Sequence, residues 1–339
     1  MGEFGANFGE ERDVPSSTVR TFTDPDAYAA SIRGAEARMT VTAPGDFLAT
    51  LIRVDLHDLC MQRLSDNLPR VTHFSDFTKR VVVAFRSRPG PIVLLNGTEL
   101  SDVNIAPVST ADVAVTRSRG SCSVSTLSLP VEALAEGGAV LAGRPLTSLN
   151  NMSVLTPLSP AFERLRRLHA TAMQLAEDAP AVLAQPDAAH GFEQAMIEAF
   201  AACLSDGETR EETAALRQHA AIMRRFHRAL ERHLDQPLYI PELCAEIGTS
   251  ERTLRVCCQE QLGTSPKRYL LLRRMNLARG ALRDSTPLET TVTEIATRFG
   301  FWQFGRFASE YKALFGESPS IALARPPEYR KPCGPGHGA

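Results

Sequence analysis

Apolar and polar residues alternate in short runs between Phe22 and Leu129. In LIRVDLHDL, Ile52, Val54 and Leu56 alternate with Arg53, Asp55 and His57. RVVVAF is β-branched, IVLLNGTEL carries the Asn96–Gly97 pair that suits a tight hairpin, and VAVTRSRGSCSVSTLSL reads as two strands around a turn. A period of two over such short segments predicts an antiparallel sandwich or small barrel.

After Pro130 the period lengthens. In SPAFERLRRLHATAMQLAED, Ser159 is the expected N-cap and Pro160 the first helical residue, with Phe162, Leu165, Leu168, Ala172 and Leu175 on one face. FEQAMIEAFAACL repeats the pattern through Phe192, Ala195, Met196, Ala199, Phe200, Cys203 and Leu204. These apolar stripes must pack on the β region, on each other or on a second subunit. SDGETREET then reads as a mobile linker.

One pattern occurs twice in the last third. ELCAEIG (242–248) and EIATRFG (294–300) share Glu, an aliphatic residue, a small residue, two variable positions, an apolar residue and Gly. Downstream, Leu254, Cys258, Leu262, Gly263, Ser265 and Pro266 recur 53 positions later as Phe307, Tyr311, Phe315, Gly316, Ser318 and Pro319. A short helix closing at Gly, followed by a second amphipathic helix, is the helix-turn-helix arrangement. In the first copy Leu254, Cys257, Cys258 and Leu262 face inward, and Glu251, Arg252, Arg255 and Gln259 face outward. In the second Phe307, Tyr311, Leu314 and Phe315 face inward, and Gln303, Arg306, Ser309 and Lys312 face outward. Phe301 joins that core, since a unit of about fifty residues needs large side chains to bury enough area. Trp302 and Phe304, at the helix entrance, are expected to form a local staple, with apolar contact to a thymine methyl or a sugar as the alternative. The stretch SPKRYLLLRRMNLARGALRD joins the two units and would fix their separation.

Composition sharpens this picture at one point. The 339 residues carry a net charge of −2, yet residues 217–330 hold 18 Lys and Arg against 12 Asp and Glu, about +6, leaving about −8 for the rest. The basic third is the end that would meet a polyanion. An apolar content of 43% without a run long enough to span a bilayer, and an N-terminus without a basic leader and apolar core, predict a cytoplasmic protein with no membrane partner. Seven cysteines without CxxC spacing predict reduced thiols.

The two motifs and their separation resemble the AraC/XylS family of transcription regulators over about residues 223–324. The stretch GFW…GRFA…Y…LFGESPS is most similar to the branch containing the ethanolamine-operon regulator. The resemblance implies a DNA-binding regulator whose N-terminal domain is cupin-like, senses a small molecule and often dimerises. It places base contacts at Arg252, Arg255 and Val256 in the first recognition helix, and at Phe304, Gly305 and Ser309 in the second, with Arg306 beside them. Reading outward positions and resemblance together, the base-reading candidates are Arg252, Arg255, Glu251, Val256, Gln303 and Arg306. The phosphate candidates are Ser250, Lys267, Arg268, Arg273, Arg274 and Lys312.

The expected fold class is α+β. Residues 1–20 are expected to lack order, 21–150 to form an antiparallel β sandwich or cupin-like sensing domain, and 151–212 a helical connector that could dimerise. Residues 217–325 form the all-α tandem helix-turn-helix domain, and 326–339 a disordered tail. The leading expectation is a transcription regulator, an activator acting on promoter DNA through RNA polymerase, working as a homodimer under an unknown effector. One rival is a ligand-insensitive repressor or architectural protein whose β domain only assembles it. The other is a cupin-type enzyme fused to a DNA-binding domain. His57 with Asp58, and His73, lack the close spacing of a cupin metal site, and no phosphate loop or GxSxG elbow is present. Neither a cofactor, a metal nor covalent catalysis is expected.

Overall fold

The computed structural model describes residues 15–77, 80–86, 88, 90–108, 113–130, 132, 154–210, 214–233 and 238–325. In chain order its first half runs β1 (Ser16–Phe22), α1 (Pro25–Ala30), β2 (Glu36–Val41), β3 (Ala49–Asp55), β4 (Cys60–Asp66), β5 (Arg70–Ser75), β6 (Arg80–Phe85), β7 (Val93–Leu95), β8 (Thr98–Leu100), β9 (Ile105–Pro107), β10 (Val113–Ser118) and β11 (Cys122–Pro130). Then follow β12 (Val154–Thr156), α2 (Ser159–Asp178), α3 (Pro180–Leu183), α4 (Pro186–Asp206) and β13 (Glu208–Arg210). One sheet has the order β1-β3-β4-β11-β6-β9-β12-β13 and the other β2-β5-β10-β7-β8. Every recorded pairing is antiparallel.

The alternation read from the sequence sorts side chains onto the two faces of each sheet. Between the sheets lie two apolar clusters, one around Phe74, Ala84, Val93, Leu95 and Val124, the other around Phe22, Tyr28, Met39, Leu51 and Leu64. The turn from β4 to β5 carries the chain from one sheet to the other, and a buried ion pair spans it. Arg70 donates Nε and Nη2 to Asp66 Oδ2 (2.9 and 2.7 Å) and Nη1 to Thr72 and Thr116. Asn96 and Gly97 both have positive φ, 51° and 85°, as a two-residue β7–β8 hairpin requires.

The outer faces are covered too. Ile52, Val54, Met61, Phe85 and Leu127 of the larger sheet pack with Phe162, Leu165, Met173, Met196 and Phe200 of α2 and α4. The apolar stripes of the connector are thus buried within the chain rather than left for a second subunit. On the smaller sheet, Val71, Val113 and Val115 pack against the C-terminal domain.

Three expectations need correction. Residues 16–20, expected to lack order, belong to β1, which pairs with β3 along its full length from Ser16↔Asp55 to Phe22↔Ala49. The connector contains β12 and β13, which extend the larger sheet, so residues 208–210 of the expected linker form a strand. Leu158, not Ser159, is the N-cap of α2. The two strands expected around the 119–121 turn are present as β10 and β11, and they lie in different sheets. The sequence signals fail here because strand pairing depends on partners distant in the chain. The tail at 326–339 lies outside the described residues.

The C-terminal domain comprises α5 (Ala214–Arg232), α6 (Ile240–Ile247), α7 (Glu251–Gln261), α8 (Pro266–Asp284), α9 (Val292–Arg298), α10 (Phe304–Phe315) and α11 (Pro319–Ala324). It docks on the smaller sheet through polar as well as apolar contacts. The Asn276 amide accepts from Val41 N and donates to Val41 O, both at 3.0 Å, completing the edge of β2 as a neighbouring strand would. Arg279 pairs with Asp24 and Asp26, and Arg283 with Asp24. His73 shares a 2.8 Å hydrogen bond with Tyr269 Oη, and its ring stands edge-on to His227 at 4.0 Å between centroids.

Burial, then the Arg273 charge, holds His73 down to about 3; burial and neighbouring His73 hold His227 well below its ordinary value. Both folded values lie below the ~6.5 of an unfolded imidazole, so the unfolded chain takes up protons first. The stability these neutral rings contribute is complete above about pH 6.5 and is lost as pH falls from there toward 3. His227 has no hydrogen-bond partner at either ring nitrogen. Replacing it by Leu should leave stability near pH 7.5 almost unchanged. The same change should reduce the slope of unfolding free energy between pH 6 and 4 by about 1.4 kcal/mol per pH unit, as read by denaturant titration at each pH.

Candidate nucleic-acid interface

Each half of the C-terminal domain builds its outer helix in the same way. In the first, α6 ends at Gly248, which takes φ 65° to turn the chain. Ser250 then caps α7 by accepting from Thr253 N (3.1 Å). In the second, Thr291 and Glu294 form a reciprocal capping box at the start of α9, and Gly300 (φ 74°) turns the chain toward α10. The left-handed turn favours glycine at both places, which explains why the repeat keeps that residue.

Inward and outward faces fall where the repeat puts them. Leu254, Cys257, Cys258 and Leu262 are buried with Ile222, Met223, Phe226 and Leu243. Phe307, Tyr311 and Leu314 are buried with Phe301, Ile295 and Leu282, and Phe315 is half-buried beside them. Phe301 meets Phe307 at 4.7 Å between ring centroids. Six of the seven cysteines fall within the described residues and all six are buried. Burial pushes the Cys257 thiol up to about 11 and Cys258 further, so neither is a ready nucleophile.

Of the base-reading candidates, Glu251, Arg252, Arg255 and Val256 lie exposed together on α7. Gln303 and Arg306 lie exposed at the start of α10, with Arg306 Nε 2.8 Å from Glu310 Oε1. That surface pair contributes little and leaves the guanidinium free to exchange partners. Among the phosphate candidates, Ser250, Lys267, Arg268 and Lys312 are exposed. Ser250 and the first turn of α7 present backbone N–H groups beside Arg252, the arrangement that receives an anion.

Arg273 must be removed from that set. It is 5% exposed, donates to Leu230 O at 2.7 Å and lies 3.6 Å from Glu231, whose carboxylate also takes Arg38 of β2. Arg274 is half-buried, donating to Gly300 O (3.4 Å) with its guanidinium 5.2 Å over Phe301, so it braces the second turn. The periodicity of the joining helix could not separate these two from Lys267 and Arg268, because the groups that bury them come from other elements.

The expected staple is also overturned. Trp302 is 69% and Phe304 42% exposed, so the two aromatics project from the entrance of α10 instead of packing beneath it. For Trp302 one signal was available, since it lies off the i, i+3, i+4 set of Phe307, Tyr311 and Leu314; Phe304 lies on that set and gave none.

Comparison with known proteins bears on this domain. Residues 243–325 match a helix-turn-helix domain family. The chain is 47% identical over 98 residues to a probable thc operon regulatory protein of Rhodococcus erythropolis, covering 29% of this chain and 30% of that one. It is 35% identical over 96 residues to a XylDLEGF operon transcriptional activator of Pseudomonas putida, covering 28% and 29%. The chain thus spans about 30% of the length of these curated relatives. A crystal structure of a probable AraC family transcriptional regulator from Rhodopseudomonas palustris is 36% identical, covering 31% of this chain and 98% of that one, with a TM-score of 0.28. With its two capped, glycine-turned helix pairs and these relatives, the chain belongs to the AraC/XylS family of regulators.

Proposed function

We propose that the chain is a sequence-specific regulator of transcription that binds double-stranded promoter DNA through α7 and α10. The observation that carries this reading is the common exposure of the outward faces of the two outer helices, with Glu251, Arg252, Arg255 and Val256 on one and Gln303 and Arg306 on the other, although the β domain packs on the same units. Two helices about one turn of B-DNA apart can enter successive major grooves. Arg252 and Arg255, three positions apart on one face, suit the O6 and N7 acceptors of guanine, with Glu251 and Val256 beside them. Gln303 and Arg306 read bases from α10 less directly. Trp302 and Phe304 suit apolar contact with thymine methyl groups or sugars. Lys267, Arg268, Lys312 and the amides after Ser250 hold phosphates, and Arg274 acts from behind by bracing the turn.

In this reading the β domain binds a small molecule and alters promoter occupancy, the chain acts as a homodimer, and contact with RNA polymerase makes it an activator. Regulators named in the comparisons as operon activators support that direction. One observation favours a ligand-insensitive form: the buried Arg70–Asp66 pair occupies the space between the sheets and adjoins Cys122 of one interior cluster. Thermal unfolding against a panel of metabolites separates the two, since a ligand bound only by the folded chain raises its melting temperature.

The DNA reading is tested by anisotropy titrations on a duplex obtained by selection from a random library. Arg255→Ala should narrow the preference for the selected site over altered ones by about tenfold or more, from the ~1–3 kcal/mol of one bidentate contact. Lys267→Ala should weaken binding to all sequences alike and reduce the slope of log K against log salt by about one. Arg273→Ala should leave that slope unchanged and instead lower unfolding free energy by about 1–3 kcal/mol. Equal loss on every duplex from Arg255→Ala would remove its base-reading role.

A further inference from the structure

A second group of side chains lies far from the outer helices, where the turn between β3 and β4 meets α4. His57 projects from that turn, and His190 and Glu193 stand three residues apart on one face of α4. One donor atom from each lies within 4.8 Å of the other two. His57 Nδ1 is already 2.9 Å from Glu193 Oε2, and the two imidazoles are 5.9 Å apart between centroids at 77°.

The two oxygens of Glu193 have different surroundings. Oε1 accepts from Asp58 N (2.7 Å) and Leu59 N (2.9 Å), so the carboxylate is fixed by backbone donors. Arg80 holds the same turn from its other side by donating to Asp58 O at 2.6 Å. Oε2 is left facing the histidines. A buried carboxylate oriented by outer hydrogen bonds, with one oxygen turned toward two imidazoles, has the build of a metal ligand rather than of a solvated surface acid. Glu193 is 4% exposed, whereas His57 is partly exposed and His190 exposed, so an ion can enter from solvent and complete its shell with water.

We propose that His57, His190 and Glu193 form a binding site for a divalent transition-metal ion of the zinc class. Two imidazoles and a carboxylate suit such an ion better than magnesium or calcium, which take oxygen ligands. Bonds of about 2.0–2.2 Å place tetrahedral ligands roughly 3.3 Å apart. The His57–Glu193 pair meets that spacing within a few tenths of an ångström, and rotation of the exposed His190 ring closes the rest. Binding needs neutral imidazoles, so the ion replaces the hydrogen now shared between Nδ1 and Oε2. Bound there, it ties α4 to the β3–β4 turn, 136 positions apart in the chain from His57 to Glu193.

The test uses the full chain, stripped of metal by a chelator. Zinc should raise the melting temperature in a saturable way while magnesium does not. Cobalt(II) should give the visible bands of a tetrahedral site without thiolate charge transfer, because the described cysteines are buried elsewhere. His190→Ala, at an exposed position, should leave the metal-free melting temperature unchanged and weaken zinc binding by more than about tenfold, the loss that even an outer-sphere change produces. Zinc that produces no rise, or the same rise in His190→Ala and in His57→Gln as in the parent, overturns the proposal and leaves Glu193 as a cap for the β3–β4 turn.

Discussion

Helix α8 has no free side along most of its length, and the arrangement of the C-terminal half follows from that. Tyr269 and Leu270 belong to the core of the first helical unit, whereas Leu272, Met275, Ala278 and Leu282 belong to the second. The remaining face carries Arg273, Asn276 and Arg279, all buried and joined to Leu230 and Glu231, to β2 and to Asp24 and Asp26. A helix buried all round cannot rotate or slide without breaking contacts on three sides at once. Its 19 residues span about 28 Å and so set the offset between the two outer helices.

The polar side of α8 changes the meaning of the charge imbalance. Counted along the chain, the last third carries an excess of about six positive charges. In the fold, Arg279 and Arg283 face Asp24 and Asp26, and Arg273 shares Glu231 with Arg38. Part of the basic excess is therefore matched by carboxylates at the edge of the β domain. The cations left to solvent include Arg252, Arg255, Lys267, Arg268 and Lys312, on or beside the outer helices.

The helical third was legible because its signals are local. The glycines at 248 and 300 and the inward sets of both outer helices depend on residues within four or five positions. β3, β6, β7, β8, β10 and β11 were legible as strands for the same reason, but apart from the β7–β8 hairpin their pairing was not. Arg70 reads as a strand cation and Arg273 as a helix cation until a carboxylate arrives from another sheet or another helix. Trp302 carried a weak local signal, its place off the apolar stripe. His57, His190 and Glu193 carried none, since the turn and the helix that bring them together are separated by most of the β domain.

The same contacts that fix α8 determine what a signal from the β domain could do. Val41 at the end of β2 and Asp24 at the cap of α1 both belong to, or adjoin, the interior cluster around Tyr28, Met39 and Leu51. A molecule entering between the sheets would meet that cluster before it met any outer helix. It would alter α7 and α10 only by binding more tightly to one placement of β2 and α1 than to another, since equal affinity for both shifts nothing. Asn276, with its two bonds to a single strand residue, is the narrowest point of that route. A displacement of β2 by one hydrogen-bond length would leave both Val41 groups unpaired in a buried interface, at a cost of the order of 1–3 kcal/mol for each group, so the joint resists a gradual drift of β2 along α8.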